Sequence, residues 1–393
     1  MEWFALIIPV LTVVVVLVWF PKRVVWWEML IPFVVAFVTI ALCKSLVGVM
    51  LTRDTEYWGS YAVEAAYYED WDEKVVYYED VRERTGTDSK GNPTYRTKQV
   101  RKTRIDYHPA HWELRDSGGA TLSIDGSRFE ELCKRWGSRE FVDMHRDYHM
   151  NDGDKYVAKF TGRDDQLEPV VTVHTYTNKV QASDSVFKFK DVDPTTYGLY
   201  EYPKPDSHYC PSILGGGGKN FAEGNRKLDV ANAKMGASKQ VRMWVLLFQG
   251  QPIEAAVDQE NHWKGGNKNE FIVCIGHRGA TVEWAYVFSW TEVEDLKVRA
   301  RQQAMSMAEL DLSAYADWLI PEIGAHWRRK EFADFNYLTV TSPGWAIAVV
   351  YIVTALACVG VAAWAVMNEV DEGGRRHRRG FRSRRSRYGG LRL

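Results

Sequence analysis

Side chains that could bind a metal ion are concentrated between Asp143 and Asp154. This segment has the order Asp-Met-His-Arg-Asp-Tyr-His-Met-Asn-Asp-Gly-Asp. If it is helical, His145 and His149 share one face and, with Asp152, could hold zinc, which accepts imidazole and carboxylate ligands. No third histidine follows nearby, so a solvated helix end followed by a turn is the alternative interpretation. We therefore keep this site as a candidate and predict no cofactor.

Other catalytic motifs are incomplete. Gly215–Gly218 and the lysine after it resemble a phosphate-binding loop, but Asn220 stands where that motif has Ser or Thr, so we expect a linker. Ser185 and Lys188 lie in a strand-like segment, whereas a Ser-Lys nucleophile needs a helical turn. Neither GxSxG nor HExxH occurs. These absences favour a protein that is not an enzyme.

The end of the sequence is strongly basic. Residues 373–393 contain nine Arg and no Asp or Glu. Guanidinium groups bind phosphates of anionic lipid headgroups or of nucleic acid. A topology determinant with incidental lipid contact is the simpler interpretation, and a cytoplasmic protein or nucleic-acid partner is the other. The candidate contact residues are Arg375, Arg376, Arg378, Arg379, Arg382, Arg384, Arg385 and Arg387.

Three apolar runs could cross a lipid bilayer, at residues 3–20, 24–43 and 343–367. A helix of about 20 apolar residues spans the hydrocarbon core. Lys22 and Arg23 lie between the first two runs, and Lys and Arg near a span stay in the cytoplasm. We therefore expect a multi-pass protein of the inner or plasma membrane with a cytoplasmic tail and a large extracytoplasmic region. A signal peptide is the rival interpretation of residues 1–20.

Charge and cysteine content agree with this division. The net charge is −1, and the nine Arg of the tail leave −10 on residues 1–372. Of the five Cys, only Cys133, Cys210 and Cys274 lie outside the apolar runs. Three cysteines can form at most one disulfide among themselves, and the sequence alone does not determine whether they do.

The first part of the outer region, residues 52–214, has the pattern of a β-rich domain. Acidic and aromatic residues fill Val63–Val81, a dense turn sequence follows at Gly86–Pro93, and Tyr95–Ile105 is basic without an acid. This order predicts a hairpin in which opposite charges pair across the strands. Such a hairpin could also be a docking arm. Further strands are expected at Thr121–Ile124 and Val170–Tyr176, with a helix at Ser127–Trp136 between them.

The second part, residues 226–342, alternates helices with apolar strands after a linker at 215–225. We expect Ser313 to cap a last helix that breaks or bends at Pro321. Strand, helix and strand in this order predict a parallel crossover within a small α/β sandwich. The expected elements are a helix at Arg226–Ser238, a strand at Val241–Phe248, a helix at Ile253–Trp263, strands at Glu270–Ile275 and Thr281–Trp290, and a helix at Glu292–Leu310.

This order, with HWKGGNKNEF at His262–Phe271 and WRRKEFADF at Trp327–Phe335 before an apolar run, resembles the TPM domain family. The resemblance covers Arg226–Leu338. It implies an extracytoplasmic α/β sandwich that repairs, assembles or modulates membrane complexes, with phosphatase activity in some members. Val287–Trp290 replaces the acidic turn associated with that activity. The loop that the resemblance marks as a partner or ligand site contains Trp263, Lys264, Gly265, Gly266, Asn267, Lys268 and Asn269.

The sequence thus predicts an α+β membrane protein with three transmembrane helices at residues 1–51 and 343–367 and a cytoplasmic tail at 368–393. Its layout is similar to that of uncharacterised transmembrane proteins of bacteria and phages. The expected function is an interaction or assembly module with a membrane or extracytoplasmic protein partner. A TPM-type metal-dependent phosphatase and a transmembrane signal relay are the alternatives.

Overall fold

The computed structural model describes residues 2–20, 26–87, 89–183 and 189–368. These residues form a mixed α/β protein with two compact units, each made from separate stretches of chain. The first unit contains Met1–Asp54, Thr175–Lys188 and Phe332–Leu393, and the second contains Thr55–His174 and Phe189–Glu331. The two outer parts that the sequence separates, residues 52–214 and 226–342, therefore share the second unit over most of their length.

The elements of the described residues follow in chain order. The helices are α1 Ile7–Trp19, α2 Ile31–Thr52, α3 Gly126–Trp136, α4 Lys179–Ala182, α5 Phe221–Lys239, α6 Glu254–His262, α7 Glu294–Ser306, α8 Leu312–His326 and α9 Gly344–Asn368. The strands are β1 Arg53–Tyr68, β2 Trp71–Thr87, β3 Pro93–His108, β4 His111–Asp116, β5 Thr121–Ile124, β6 Glu140–Val142, β7 Tyr148–Asp152, β8 Lys155–Lys159, β9 Pro169–Thr177, β10 Ile213–Leu214, β11 Arg242–Gln249, β12 Glu270–Arg278 and β13 Thr281–Ser289.

The first unit contains three helices long and apolar enough to cross a membrane. They cover Glu2–Trp19, Glu28–Thr52 and Gly344–Met367, and they pack on one another through Ala5, Ile40 and Val350. The chain is thus compatible with a membrane protein, as its three apolar runs predict. Both basic segments from which we inferred sidedness, the Lys22-Arg23 pair and the tail from residue 369 onward, lie outside the described residues.

One sheet of the second unit has the strand order β5-β4-β1-β8-β6, and β9 also pairs with β1. Helix α3 covers this sheet and buries Phe129, Leu132 and Trp136 against it. Asp125 caps the helix by accepting a hydrogen bond from the backbone N–H of Arg128 at 2.7 Å. The amphipathic pattern predicted this helix, because its apolar residues recur at helical spacing.

The other sheet has the order β10-β11-β12-β13. Strands β11 and β12 are parallel, with α6 in the crossover, and β13 is antiparallel to β12. Along β11, Met243, Val245 and Leu247 belong to a core shared with α5, α7 and α8. The alternate residues, Trp244 and Leu246 among them, belong to a second core with α6. Burial on both faces explains why β11 is a continuous apolar run.

Several local expectations differ from the structure. Helix α5 begins at Phe221, within the expected linker. Gly215–Gly218 packs closely: a Cβ on Gly217 would lie 2.5 Å from the His277 ring, and this glycine has φ +106°. Asp311, not Ser313, caps α8, because its carboxylate accepts the N–H of Ser313 at 3.0 Å. The helix continues through Pro321.

The cysteines outside the apolar runs are all unpaired thiols. Cys133 is partly buried, and Cys210 and Cys274 are buried. Burial raises the pKa of the Cys210 and Cys274 thiols, because an apolar environment disfavours the thiolate. These two thiols therefore behave as small core side chains.

Candidate functional site

A long hairpin of the second unit is exposed to solvent along nearly all of both strands. Strands β2 and β3 pair antiparallel from Trp71↔His108 to Thr87↔Pro93. Strand β7 pairs with β2 only at Trp71 and Glu73. A strand of this length extends roughly 55 Å at about 3.3 Å per residue. We call β2, β3 and the turn between them the arm; beyond its base, both of its edges are unpaired in the described residues.

On one face of the arm, charged side chains form ion pairs with one another. Glu79 pairs with Lys102, Asp106 lies 2.9 Å from Arg104, and Glu73 lies 3.0 Å from the ring of His108. The hydrogen bond and negative charge of Glu79 raise the pKa of Lys102. We call this the ion-paired face. The hairpin predicted from charge complementarity is therefore confirmed, with the paired charges on one side of the ribbon.

The opposite face is basic and aromatic. Register places Lys74 opposite Ile105, Tyr78 opposite Arg101, and Arg84 opposite Tyr95. Side chains alternate between faces along a strand, so these groups share one side. The acidic residues on this side of the ribbon are Asp72 and Asp80. The basic-aromatic face consists of Lys74, Tyr78, Arg82, Arg84, Tyr95, Arg101, Ile105 and Tyr107.

The side chains of the basic-aromatic face are open to solvent. Tyr78 and Tyr107 are each 66% exposed, Tyr95 is 59% exposed and Ile105 is 51% exposed. Across the described part of the chain, its four cations form no ion pair, whereas on the opposite face Lys102 and Arg104 are paired and Arg96 and Lys98 are not. Asp70 raises the pKa of Tyr107 by its negative charge, so this ring stays a neutral hydroxyl donor. The face thus presents unpaired positive charge between aromatic rings.

The base of the arm is anchored to β7 and to the residues on either side of that strand. Asp72 accepts the N–H groups of Met150 and Asn151, both at 2.7 Å, and these bonds lower its pKa. The Arg146 guanidinium lies 4.5 Å from the ring of Trp71 and donates to the carbonyl of Gly153 at 2.7 Å. A cation against a ring and charge-assisted hydrogen bonds both fix orientation. The arm is therefore held at its base, and beyond it no other strand of the described residues pairs with β2 or β3.

The predicted zinc ligands lie beside this anchor. The prediction that they lie on a helix is wrong. His149 and Asp152 lie in β7, and His145 precedes it with φ +45°. Backbone pairing with β2 draws this segment into a strand, so the two histidines do not share a helical face. Asp152 is instead grouped with Asp143 and Asp154, whose carboxylate oxygens lie within 4.8 Å of one another.

This carboxylate group offers oxygen ligands of the kind that Ca²⁺ or Mg²⁺ accepts. Asp143 is exposed and also pairs with His145 at 2.9 Å, while Asp152 and Asp154 are partly buried. One oxygen of Asp154 is buried and has no hydrogen-bond partner among the described residues. Three acids in a surface turn also occur commonly without an ion, so the group by itself assigns no chemistry.

The predicted partner loop, Trp263–Asn269, joins α6 to β12 and is largely buried. The Trp263 ring donates to the carbonyl of Tyr200 at 2.7 Å, and Asn269 donates to the carbonyl of Tyr57 at 2.7 Å. Lys268 is partly buried and lies 3.4 Å from the buried carboxylate of Glu56. Of the seven loop residues, only Lys264 is exposed. As a surface for a partner, the loop therefore offers a single side chain.

Glu270, which follows this loop, is fully buried. Its carboxylate accepts hydrogen bonds from the Tyr202 hydroxyl, from the Trp244 ring at 2.9 Å and from the Asn267 N–H at 2.7 Å. Burial raises its pKa despite these bonds. The carboxylate thus fixes the loop to the sheet, and within the described residues the only group of three metal-ligating side chains is the one at Asp143.

The remaining sequence-predicted site, the eight arginines from Arg375 to Arg387, lies outside the described residues. No protein-family model, no curated protein and no solved structure matches the chain.

Proposed function

We propose that this chain is an integral membrane protein whose large extracytoplasmic unit is an interaction module, and that the arm is its docking element. The observation that carries the proposal is the basic-aromatic face. Aromatic rings and arginines are the side chains most enriched at protein interfaces. Here they lie on a two-stranded ribbon, and no other strand of the described chain pairs with that ribbon along most of its length.

The energetics of a two-stranded ribbon support this role. An isolated hairpin is marginally stable in water, because it buries little apolar surface. The ion-paired face contributes some stability through its cross-strand charges. The basic-aromatic face has no ion pairs that stabilise it in this way. Burial of its exposed rings against a partner would therefore stabilise the ribbon. A protein surface that carries carboxylates complements the four unpaired cations of this face.

The phosphatase alternative has less support. Hydrolysis of a phosphate ester assisted by a metal needs carboxylates that converge on an ion. Near the loop that resembles the TPM site, Glu270 is buried among its own hydrogen-bond donors, and Glu56 pairs with Lys268. These acids serve the packing of the loop, which favours the interaction module.

The adjacent residues Tyr77 and Tyr78 allow a matched test, since their side chains lie on opposite faces of β2. A photo-crosslinking amino acid at Tyr78 or Tyr95 should yield a protein adduct in native membranes. The same probe at Tyr77 or Val81, on the ion-paired face, should yield at least severalfold less. Equal adducts from both faces, or adducts to lipid alone, would contradict a protein-docking role for the basic-aromatic face.

A further inference from the structure

The first unit contains a pocket of about 850 Å³. Its walls are the last turns of α2 with Arg53, the segment Thr175–Lys179, and residues 336–342, which lead into α9. Pockets that bind small ligands have volumes of roughly 300–1,000 Å³. This pocket is therefore large enough for a phospholipid headgroup.

The lining of the pocket is cationic. It includes Lys44, Arg53 and Lys179, and none of its seventeen described lining residues is Asp or Glu. Hydroxyl groups, among them those of Ser45 and Thr175, supply neutral hydrogen-bond donors. Cations and hydroxyl donors without a carboxylate are the groups that recognise a phosphate.

Two acids near the pocket form hydrogen bonds with other groups. Glu2 forms a side-chain hydrogen bond with Ser342 and carries its negative charge close to Lys44. The Asp54 carboxylate accepts hydrogen bonds from the Tyr176 hydroxyl at 3.0 Å and from the Asn178 side-chain amide at 2.7 Å, and Asp54 does not line the pocket. Arg53 is exposed and forms no ion pair within the described residues. Its guanidinium is thus available for an anion.

Hydrogen bonds fix the walls of the pocket. The Asn178 N–H donates to the carbonyl of Thr52 at 2.6 Å, which joins the second wall to the end of α2. The Lys179 ammonium donates to the carbonyl of Asn336 at 2.9 Å, which joins the second wall to the third. An ammonium has three N–H donors, so Lys179 keeps two for a ligand. The site is therefore built before a ligand arrives.

The position of the pocket indicates the source of the phosphate. It lies where the apolar helix α2 ends and the apolar helix α9 begins. Lipid phosphates lie at this depth when such helices cross a bilayer, and Lys44 lies 5.9 Å from the ring of Trp3, a pair typical of the membrane interface. Binding of a lipid phosphate here rests on the membrane location in the proposed function but not on the arm or its partner.

We propose that this pocket binds the phosphate of an anionic lipid headgroup through Arg53, Lys179 and Lys44. The test uses the full chain in nanodiscs of phosphatidylcholine doped with phosphatidylglycerol, with retained lipid counted by native mass spectrometry. Phosphatidylglycerol should be retained in preference to phosphatidylcholine. The double substitution Arg53→Gln with Lys179→Gln should weaken retention about 25-fold, at roughly fivefold for each cation removed near the membrane surface.

Two control variants separate charge from folding. Arg53→Lys with Lys179→Arg keeps both charges and should retain the lipid. Lys239→Gln with Arg301→Gln removes two exposed charges from the second unit and should leave retention unchanged. Wild-type retention of phosphatidylglycerol in the Arg53→Gln, Lys179→Gln variant, or equal retention of phosphatidylcholine by the wild type, would overturn the proposal.

A third arm of the experiment distinguishes the sources of phosphate. Inorganic phosphate is titrated into the protein in neutral detergent. Displacement of bound phosphatidylglycerol only at concentrations far above those of the lipid supports a headgroup site. Saturable binding of inorganic phosphate that the Arg53→Gln, Lys179→Gln variant loses, without any preference for phosphatidylglycerol, would overturn the headgroup as ligand and assign the site to the free anion.

Discussion

The substitution Arg146→Ala tests whether the base of the arm is anchored as the structure shows. Arg146 donates to the carbonyl of Gly153 at 2.7 Å and, at a long 3.3 Å, to that of Asp152. It also covers the Trp71 ring at 4.5 Å. One good charge-assisted hydrogen bond contributes about 1.5 kcal/mol and an exposed cation–π contact about 0.5 kcal/mol. The anchor should therefore lose about 2 kcal/mol.

Hydrogen exchange measures this loss where it occurs. The N–H groups of Met150 and Asn151 donate to Asp72, and that of Lys74 donates to the carbonyl of Asp147. When local opening limits exchange, a loss of about 2 kcal/mol accelerates it roughly 30-fold, since about 1.4 kcal/mol corresponds to a factor of ten. These three amides should respond together, because all three bonds join the start of β2 to β7 or to the residue before it.

The exposed Arg163, which pairs with Asp165 in a surface turn, supplies the control. Arg163→Ala should leave the three amides unchanged, because an exposed ion pair contributes little. Exchange in Arg146→Ala within threefold of the wild type would refute the anchoring role. Equal acceleration by Arg163→Ala would show a general effect of lost positive charge.

Three further outcomes are expected. A reporter fused after Leu393 should be active in the cytoplasm and one inserted after Lys90, at the tip of the arm, should be active outside; the reverse pattern would reject the proposed sidedness. The purified full chain should show no metal-dependent phosphate-ester hydrolysis, and turnover that chelation and Glu270→Ala both abolish would contradict the interaction module. Burial and the charge of Asp229 raise the pKa of Tyr209 from 10.0 to about 12, so folding favours its protonated form. The difference in unfolding free energy between wild type and Tyr209→Phe should be constant below pH 10 and shrink as the pH rises to about 12; a difference independent of pH would refute this.

Local pattern predicted much of the second unit. The run Val241–Phe248 is β11 within one residue at each end, and Glu254–His262 matches the expected helix before β12. These elements follow from periodicity, because a strand buried on both faces is apolar throughout and an amphipathic helix repeats its apolar residues. The arm was predictable for a related reason, since its two strands carry complementary charges around a dense turn sequence.

The segment around His145 and His149 shows where local pattern fails. Its spacing suits a helix, yet pairing with β2 makes it a strand, and the partner lies more than 70 residues earlier in the chain. Gly215–Gly218 has the composition of a flexible linker, but it packs against Tyr200, His277 and Leu310. In both cases contacts with distant residues outweigh local preference.

The sequence by itself determined the three apolar spans, the main strands and helices, and the charge pattern of the arm, because each depends on neighbouring residues alone. Tertiary structure decided which acids surround Asp152, how deeply the Trp263–Asn269 loop is buried, and which cations share the pocket. Arg53 and Lys179 are more than 120 residues apart in the chain and line one cavity. No local signal marks such a pair, since its proximity results from how the whole chain folds.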